Sequence, residues 1–216
     1  MTAALIALFV AASAAAAPPK ITYIRSFPGS DPAYFQIQID RDGALEYKES
    51  PTDDNPVKAK LSEAETEPFF ADADKLDHFN SSLESGLKVA NTGKKTFRYQ
   101  SADGTVTETV FNYSTDVTAR DLLERFENAA ATEHAYIQLD STARYEKLGV
   151  NDALANIESL WLRKELVGPQ QFIPLLTRVS SHESYMHLVR ERAARLKDEF
   201  QSAPVAAPVS ADAKQK

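Results

Sequence analysis

The run AYFQIQIDRDGALEYKE, residues 33–49, decides the fold class. Ala33, Phe35, Ile37 and Ile39 alternate strictly with Tyr34, Gln36, Gln38 and Asp40. A period of two puts the first set on one face of a strand and the second on the other, so the strand is half-buried. Arg41-Asp42-Gly43 supplies a hairpin turn, because glycine adopts positive φ without a Cβ clash. Residues 44–49 return as the partner strand, with Leu45 and Tyr47 on one face.

Working outward, residues 21–25 read as a short strand before the loop Arg25-Ser26-Phe27-Pro28-Gly29-Ser30-Asp31-Pro32. Residues 50–56 are a polar loop and residues 57–61 are extended. Ser62 with Glu65 three positions on forms a capping box. The helix it opens runs to about Leu76, with Phe69 and Phe70 as its apolar contacts. A second hairpin pairs residues 96–99 with 105–113 around Asp103-Gly104.

After Tyr113 the pattern turns helical. Asp116 is the expected N-cap of a long helix over residues 117–148, stopped by Gly149, with the stripe Ala119, Leu123, Phe126, Ala130, Ile137. Asn151 or Asp152 caps a helix over 153–166 that buries Leu154, Ile157 and Trp161. Pro169 suits a first helical position, and Pro174 predicts a kink or a 3₁₀ start. Ser181 is the expected cap of the last helix, with stripe Tyr185, Val189, Ala193, Leu196, Phe200. Residues 202–216 lack large apolar anchors and read as a disordered tail. The expected class is α+β: a small antiparallel sheet with one packed helix, then a helical bundle built on one long helix. The expected division is 1–17, 18–115, 116–201 and 202–216.

MTAALIALFVAASAAAA, residues 1–17, is uncharged and closes in small residues. It reads as the h-region and cleavage site of a secretory signal peptide, although only the α-amino group supplies positive charge before it. Cleavage is placed after Ala17. The run is shorter than the roughly 18–20 apolar residues that span a bilayer, so no stable membrane insertion is expected after cleavage. The chain contains no cysteine, which rules out disulfides, thiolate metal sites and a cysteine nucleophile. An exported chain without cysteine fits a bacterial envelope, periplasmic or extracellular. There Asn80-Ser81-Ser82 and Asn112-Tyr113-Ser114 are chance glycosylation matches.

The net charge of −7 argues against a nucleic-acid partner, because phosphate binding needs clustered Lys and Arg. It equally argues against attraction to anionic lipid.

Four histidines are the natural candidates for chemistry. His182 and His187 stand five apart, about 140° round a helix, and cannot chelate together as an i, i+4 pair would. His182 is expected on the apolar stripe of the last helix. Asp74 and His78 are i, i+4 near a helix end. They suit weak divalent-metal binding, but the favoured role of His78 is to complement the helix macrodipole. His134, beside Glu133, suits a general base, yet no nucleophile motif accompanies it. It is taken as a satisfied core histidine at the edge of the buried seam. Asp53-Asp54-Asn55 lacks the spacing of a calcium loop. The loop after Arg25 is the segment best placed to hold a ligand.

Arg25, Gly29, Pro32, Tyr34, Asp42-Gly43 and Tyr47 resemble the opening of a domain of unknown function found in bacterial exported proteins. That family often carries two cysteines in the loop. Ser26 or Phe27 and Asp31 stand near those places, so no shared thiol role is available. Phe111-Asn112-Tyr113-Ser114 before a long helix is likewise similar to uncharacterised exported proteins. The resemblance implies export and a fold, not an activity. The function expected is that of an exported, non-catalytic binding or interaction protein, with an envelope protein as partner, no cofactor, no metal, and Arg25, Tyr34 and His134 as ligand-binding residues. The alternative is a hydrolase or metal-dependent enzyme using His134, His78 or Asp74. It requires at least two of these to meet in a concave site.

Overall fold

The computed structural model describes residues 17–202. The stretch read as a signal peptide, apart from Ala17, and the stretch read as a disordered tail, apart from Ser202, lie outside the described residues.

Six strands form one antiparallel sheet: β1 (Lys20–Ser26), β2 (Tyr34–Asp40), β3 (Ala44–Lys48), β4 (Val57–Lys60), β5 (Lys94–Gln100) and β6 (Val106–Phe111), in the order β4-β3-β2-β1-β5-β6. Tyr23 stands opposite Ile37 on one side and Phe97 on the other, and Ile37 opposite Tyr47. Alternation therefore collects Ile21, Tyr23, Phe35, Ile37, Ile39, Leu45, Tyr47 and Phe97 on one covered face, all nearly inaccessible. Gly43 closes the first hairpin at φ +88°, where an added Cβ would lie 2.4 Å from the Leu61 carbonyl oxygen. Glycine is required there by both conformation and space.

Helix α1 (Glu63–Lys75) begins with the expected capping box: the Glu65 amide donates to Ser62 Oγ (3.3 Å) and the Ser62 amide donates to Glu65 Oε2 (2.9 Å). Ser62→Ala is expected to cost about 1 kcal/mol, read from the midpoint of urea unfolding at unchanged m-value. Beyond α1 the chain makes a left-handed turn over Asp77–Phe79, with φ of 50°, 51° and 67°. L-residues pay for that conformation, about 1–2 kcal/mol each in a left-handed helix. Its compensation is tertiary: Phe79 is buried against Phe97 (5.2 Å between centroids), and the Thr107 hydroxyl donates to the His78 carbonyl.

Helix α2 (Val117–Tyr145) is capped by Asp116, whose carboxylate accepts from the Ala119 amide at 2.9 Å. Its 29 residues span about 44 Å. It ends three residues before the expected stop. Tyr145 and Leu148 are exposed and find nothing to pack on, and Gly149, at φ −74°, precedes the next helix rather than terminating this one. The buried positions Leu122 and Ala129 replace Leu123 and Ile137 at the centre of the stripe; the latter two are only partly buried.

Helices α3 (Val150–Leu162), α4 (Ile173–Ser181) and α5 (His187–Ser202) complete the fold. α3 starts earlier than expected, without a side-chain cap, and stops at Leu162. Pro169 opens a 3₁₀ turn (Pro169–Phe172) and Pro174 lies in the first turn of α4, as the two prolines predict. Ser181 ends α4 instead of capping α5; its hydroxyl donates back to the Thr177 carbonyl (2.9 Å). Tyr185, Val189, Ala193, Leu196 and Phe200 are all buried.

Two apolar cores result. The sheet, α1 and the α2 segment Ala119 to Ala130 form one; Ala135 and Leu139 of α2 with α3, α4 and α5 form the other. The packing divides within α2, whereas the sequence pattern changes at residue 116. Among the described residues no helix is long and apolar enough to cross a membrane.

Candidate functional site

Arg25 and His134 come together; Tyr34 does not join them. Arg25 is on the covered face of β1, opposite Phe35, and its guanidinium lies 4.7 Å over that ring. Tyr34 is one residue out of phase. It therefore points to the other face, where its hydroxyl donates to Gln36 Oε1 (3.2 Å). Arg25 and His134 line a recess of about 230 Å³ with Asp31, Tyr47 and Glu127.

Arg25, Tyr47, Glu127 and His134 of this recess are tied to one another or to near neighbours. Arg25 Nη1 donates to Glu127 Oε2 (3.0 Å), and the Tyr23 hydroxyl donates to Glu127 Oε1 (2.6 Å). His134 Nδ1 pairs with Glu49 Oε1 (2.7 Å), which also accepts from the Tyr47 hydroxyl (2.9 Å). Burial and the adjacent Glu127 and Glu49 carboxylates push both phenols above their ordinary range, so each remains a donor. Burial also lowers the Lys95 ammonium, which sits directly across from Arg25 and is held by the Thr92 hydroxyl and the Asn112 carbonyl, each at 2.8 Å. Arg25 Nε is buried without a partner. The recess holds no Ser, Thr or Cys side chain beside His134.

His78 and Asp74 meet each other, at 2.9 Å, with Asp74 exposed and His78 partly covered. His78 is not on the last turn of α1 but in the left-handed turn beyond it, stacked on Tyr99 at 4.2 Å. Neither residue lines the recess that holds His134. His182 is exposed at the end of α4 rather than on the stripe of α5. Among the described residues no three His, Asp or Glu side chains gather to hold a metal.

Of the neighbours Glu133 and His134, the one buried in the core is Glu133, to which the sequence reading gave no place. One step along α2 rotates the side chain about 100°. It is Glu133 that enters the interior, 1% exposed, while His134 stays at the rim. Burial raises the Glu133 carboxyl to about 7, against a lowering hydrogen bond from Gln171 Nε2 (2.9 Å); its Oε2 has no partner.

That bond is one of three tying the segment after α3 to α2 and α1. The Val167 amide donates to Thr132 Oγ1 (3.0 Å), and the Gly168 amide donates to Glu65 Oε1 (2.9 Å). Gly168 takes φ +60°, where an added Cβ would lie 3.0 Å from Leu61 Cδ2, so glycine is favoured there. Glu65 thus caps α1 with one oxygen and anchors the second core with the other.

Beside these ties lies a cleft of about 610 Å³, within the roughly 300–1,000 Å³ of small-molecule sites. Leu61, Phe69, Leu166 and Val167 give it an apolar surface, and Trp161 borders it. Its ionisable residues are Lys60, Arg125, Lys164 and Glu65. Three cations to one carboxylate invert the acidic balance of the whole chain. The sequence pattern puts Trp161 on the buried face of α3; it is instead half-buried, edge-on to Phe200 at 5.1 Å. No sequence signal marks the cleft, because its residues run from position 60 to 170 and meet only through packing. Comparison with family models, with curated proteins and with solved structures finds no match for this chain.

Proposed function

We propose that this chain is an exported, non-catalytic binding protein whose small-molecule ligand occupies the cleft between the two cores. The observation that carries the reading is the cleft itself. Both halves of the molecule build it, its volume suits an organic ligand, and it exposes an indole ring to whatever enters. The recess around Arg25 and His134 is smaller, with Arg25 bonded to Glu127 and His134 to Glu49.

Trp161 is the chain's single tryptophan and so reports on this site alone. N-phenyl-1-naphthylamine, a neutral apolar dye, is the probe. The expected result is saturable energy transfer from Trp161 to the dye at one dye per chain. Trp161→Phe should abolish the transfer without abolishing dye fluorescence, and Ala64→Phe, which narrows the cleft, should weaken binding. Dye binding that never saturates, or that Ala64→Phe leaves unchanged in a folded protein, overturns the reading.

A further inference from the structure

We infer that the cleft takes an amphipathic anion, a single carboxylate or phosphate head on an apolar body; this rests on the reading of the cleft as the ligand seat. The first argument is an excess of donors. Glu65 is the sole carboxylate of the lining, and its oxygens already accept from Ser62 and from Gly168. Arg125 uses Nε on Asp72 (3.1 Å), and its terminal nitrogens have no acceptor among the described residues. Among the described residues Lys164 makes no ion pair, and the side-chain amide of Asn128 and the indole N–H of Trp161, both partly buried, make no hydrogen bond to protein. Lys60 is paired with Asp42, so Arg125 and Lys164, both exposed at the cleft, are the cations free to face a ligand, and beside an apolar surface they suit one that is anionic at one end and rich in carbon at the other.

The second argument is the backbone of Lys164. The Lys164 amide donates to the Trp161 carbonyl (3.0 Å) and the Glu165 amide to the Leu160 carbonyl (2.9 Å), a Schellman closure of α3. The residue in its left-handed position is normally glycine, yet here it is lysine, at φ +61°. The left-handed backbone thus carries a cationic side chain, and that side chain lines the cleft.

Lys164→Gly separates the two roles. It relieves the backbone and removes the cation, so it should raise the thermal midpoint by a few degrees while weakening anion binding about fivefold. The probes are dodecanoate, dodecyl phosphate, dodecan-1-ol and dodecylammonium, each below its micelle concentration, competing with N-phenyl-1-naphthylamine. The two anions should displace the dye at least about tenfold more tightly than the alcohol, with the ammonium weakest. The ranking of carboxylate against phosphate then identifies the head group. Equal displacement by alcohol, ammonium and anion overturns this inference while leaving the cleft as a binding site. So does anion affinity unchanged in Lys164→Gly. Failure of the neutral dye to bind removes the underlying reading instead.

Discussion

Phe126→Ala is expected to lower the unfolding free energy by about 3–5 kcal/mol, the largest single-residue effect in the sheet half. Phe126 is fully buried on α2. Its ring centroid lies 5.4 Å from Tyr23, 5.0 Å from Phe69 and 5.8 Å from Phe97, so it joins the long helix to β1, α1 and β5 at once. Truncation removes the apolar area and leaves a void that four rigid elements cannot close. Chemical denaturation gives the value directly. A loss below about 1.5 kcal/mol would mean that the aromatic cluster repacks freely, contrary to its interlocked geometry.

Glu133→Gln should stabilise the protein, and the gain should depend on pH. The carboxyl is raised from 4.5 to about 7 in the folded state. Below about pH 4.5 both folded and unfolded chains hold the proton, and the group adds no pH dependence. Between 4.5 and 7 the unfolded chain releases it while the folded chain retains it, so stability falls as pH rises, by about 1.4 kcal/mol per unit. Above about 7 both states are ionised and the full penalty, about 3 kcal/mol, persists. Glutamine cannot ionise and keeps an oxygen for the Gln171 amide. Thermal or urea unfolding should show variant and parent nearly equal at pH 4.5 and the variant about 3 kcal/mol more stable at pH 8. A constant difference across that range would place the ionisation of Glu133 elsewhere.

The elements with strong local signals were legible in the sequence. The period-two run in β2, the glycine turns, the Ser62–Glu65 capping box, the Asp116 cap and the two prolines near α4 all act within a few residues. Each is an interaction of the chain with its immediate neighbours, and each is present in the structure. Two positions with a plausible cap or stop residue do not bound a helix as that residue suggests. Ser181 has the right side chain for a cap, but its helix begins at His187, because the turn before it buries Tyr185 first. Gly149 looks like a stop, but α2 unwinds at Glu146, where the chain must fold back to bury Val150 and Leu154.

Of the residues named as ligand-binding candidates, Arg25 and His134 share a recess and Tyr34 lies on the opposite face of the sheet. Strand parity alone separates Tyr34 from Arg25, since Arg25 is in register with Phe35. The proximity of His134 to Arg25 depends on the angle at which α2 crosses the sheet. No pattern along the chain encodes that angle.

By itself, the sequence determined the α+β class, the antiparallel hairpins, the helical second half and the identity of most core residues, because alternation, capping and turn chemistry are local. Tertiary structure alone decided that α2 serves two cores, that Glu133 rather than His134 is buried, and that Lys164, Arg125 and Trp161 border one cleft. Those outcomes rest on which faces of distant segments are pressed together, and that is set by the balance of packing over the whole chain rather than by any stretch of it.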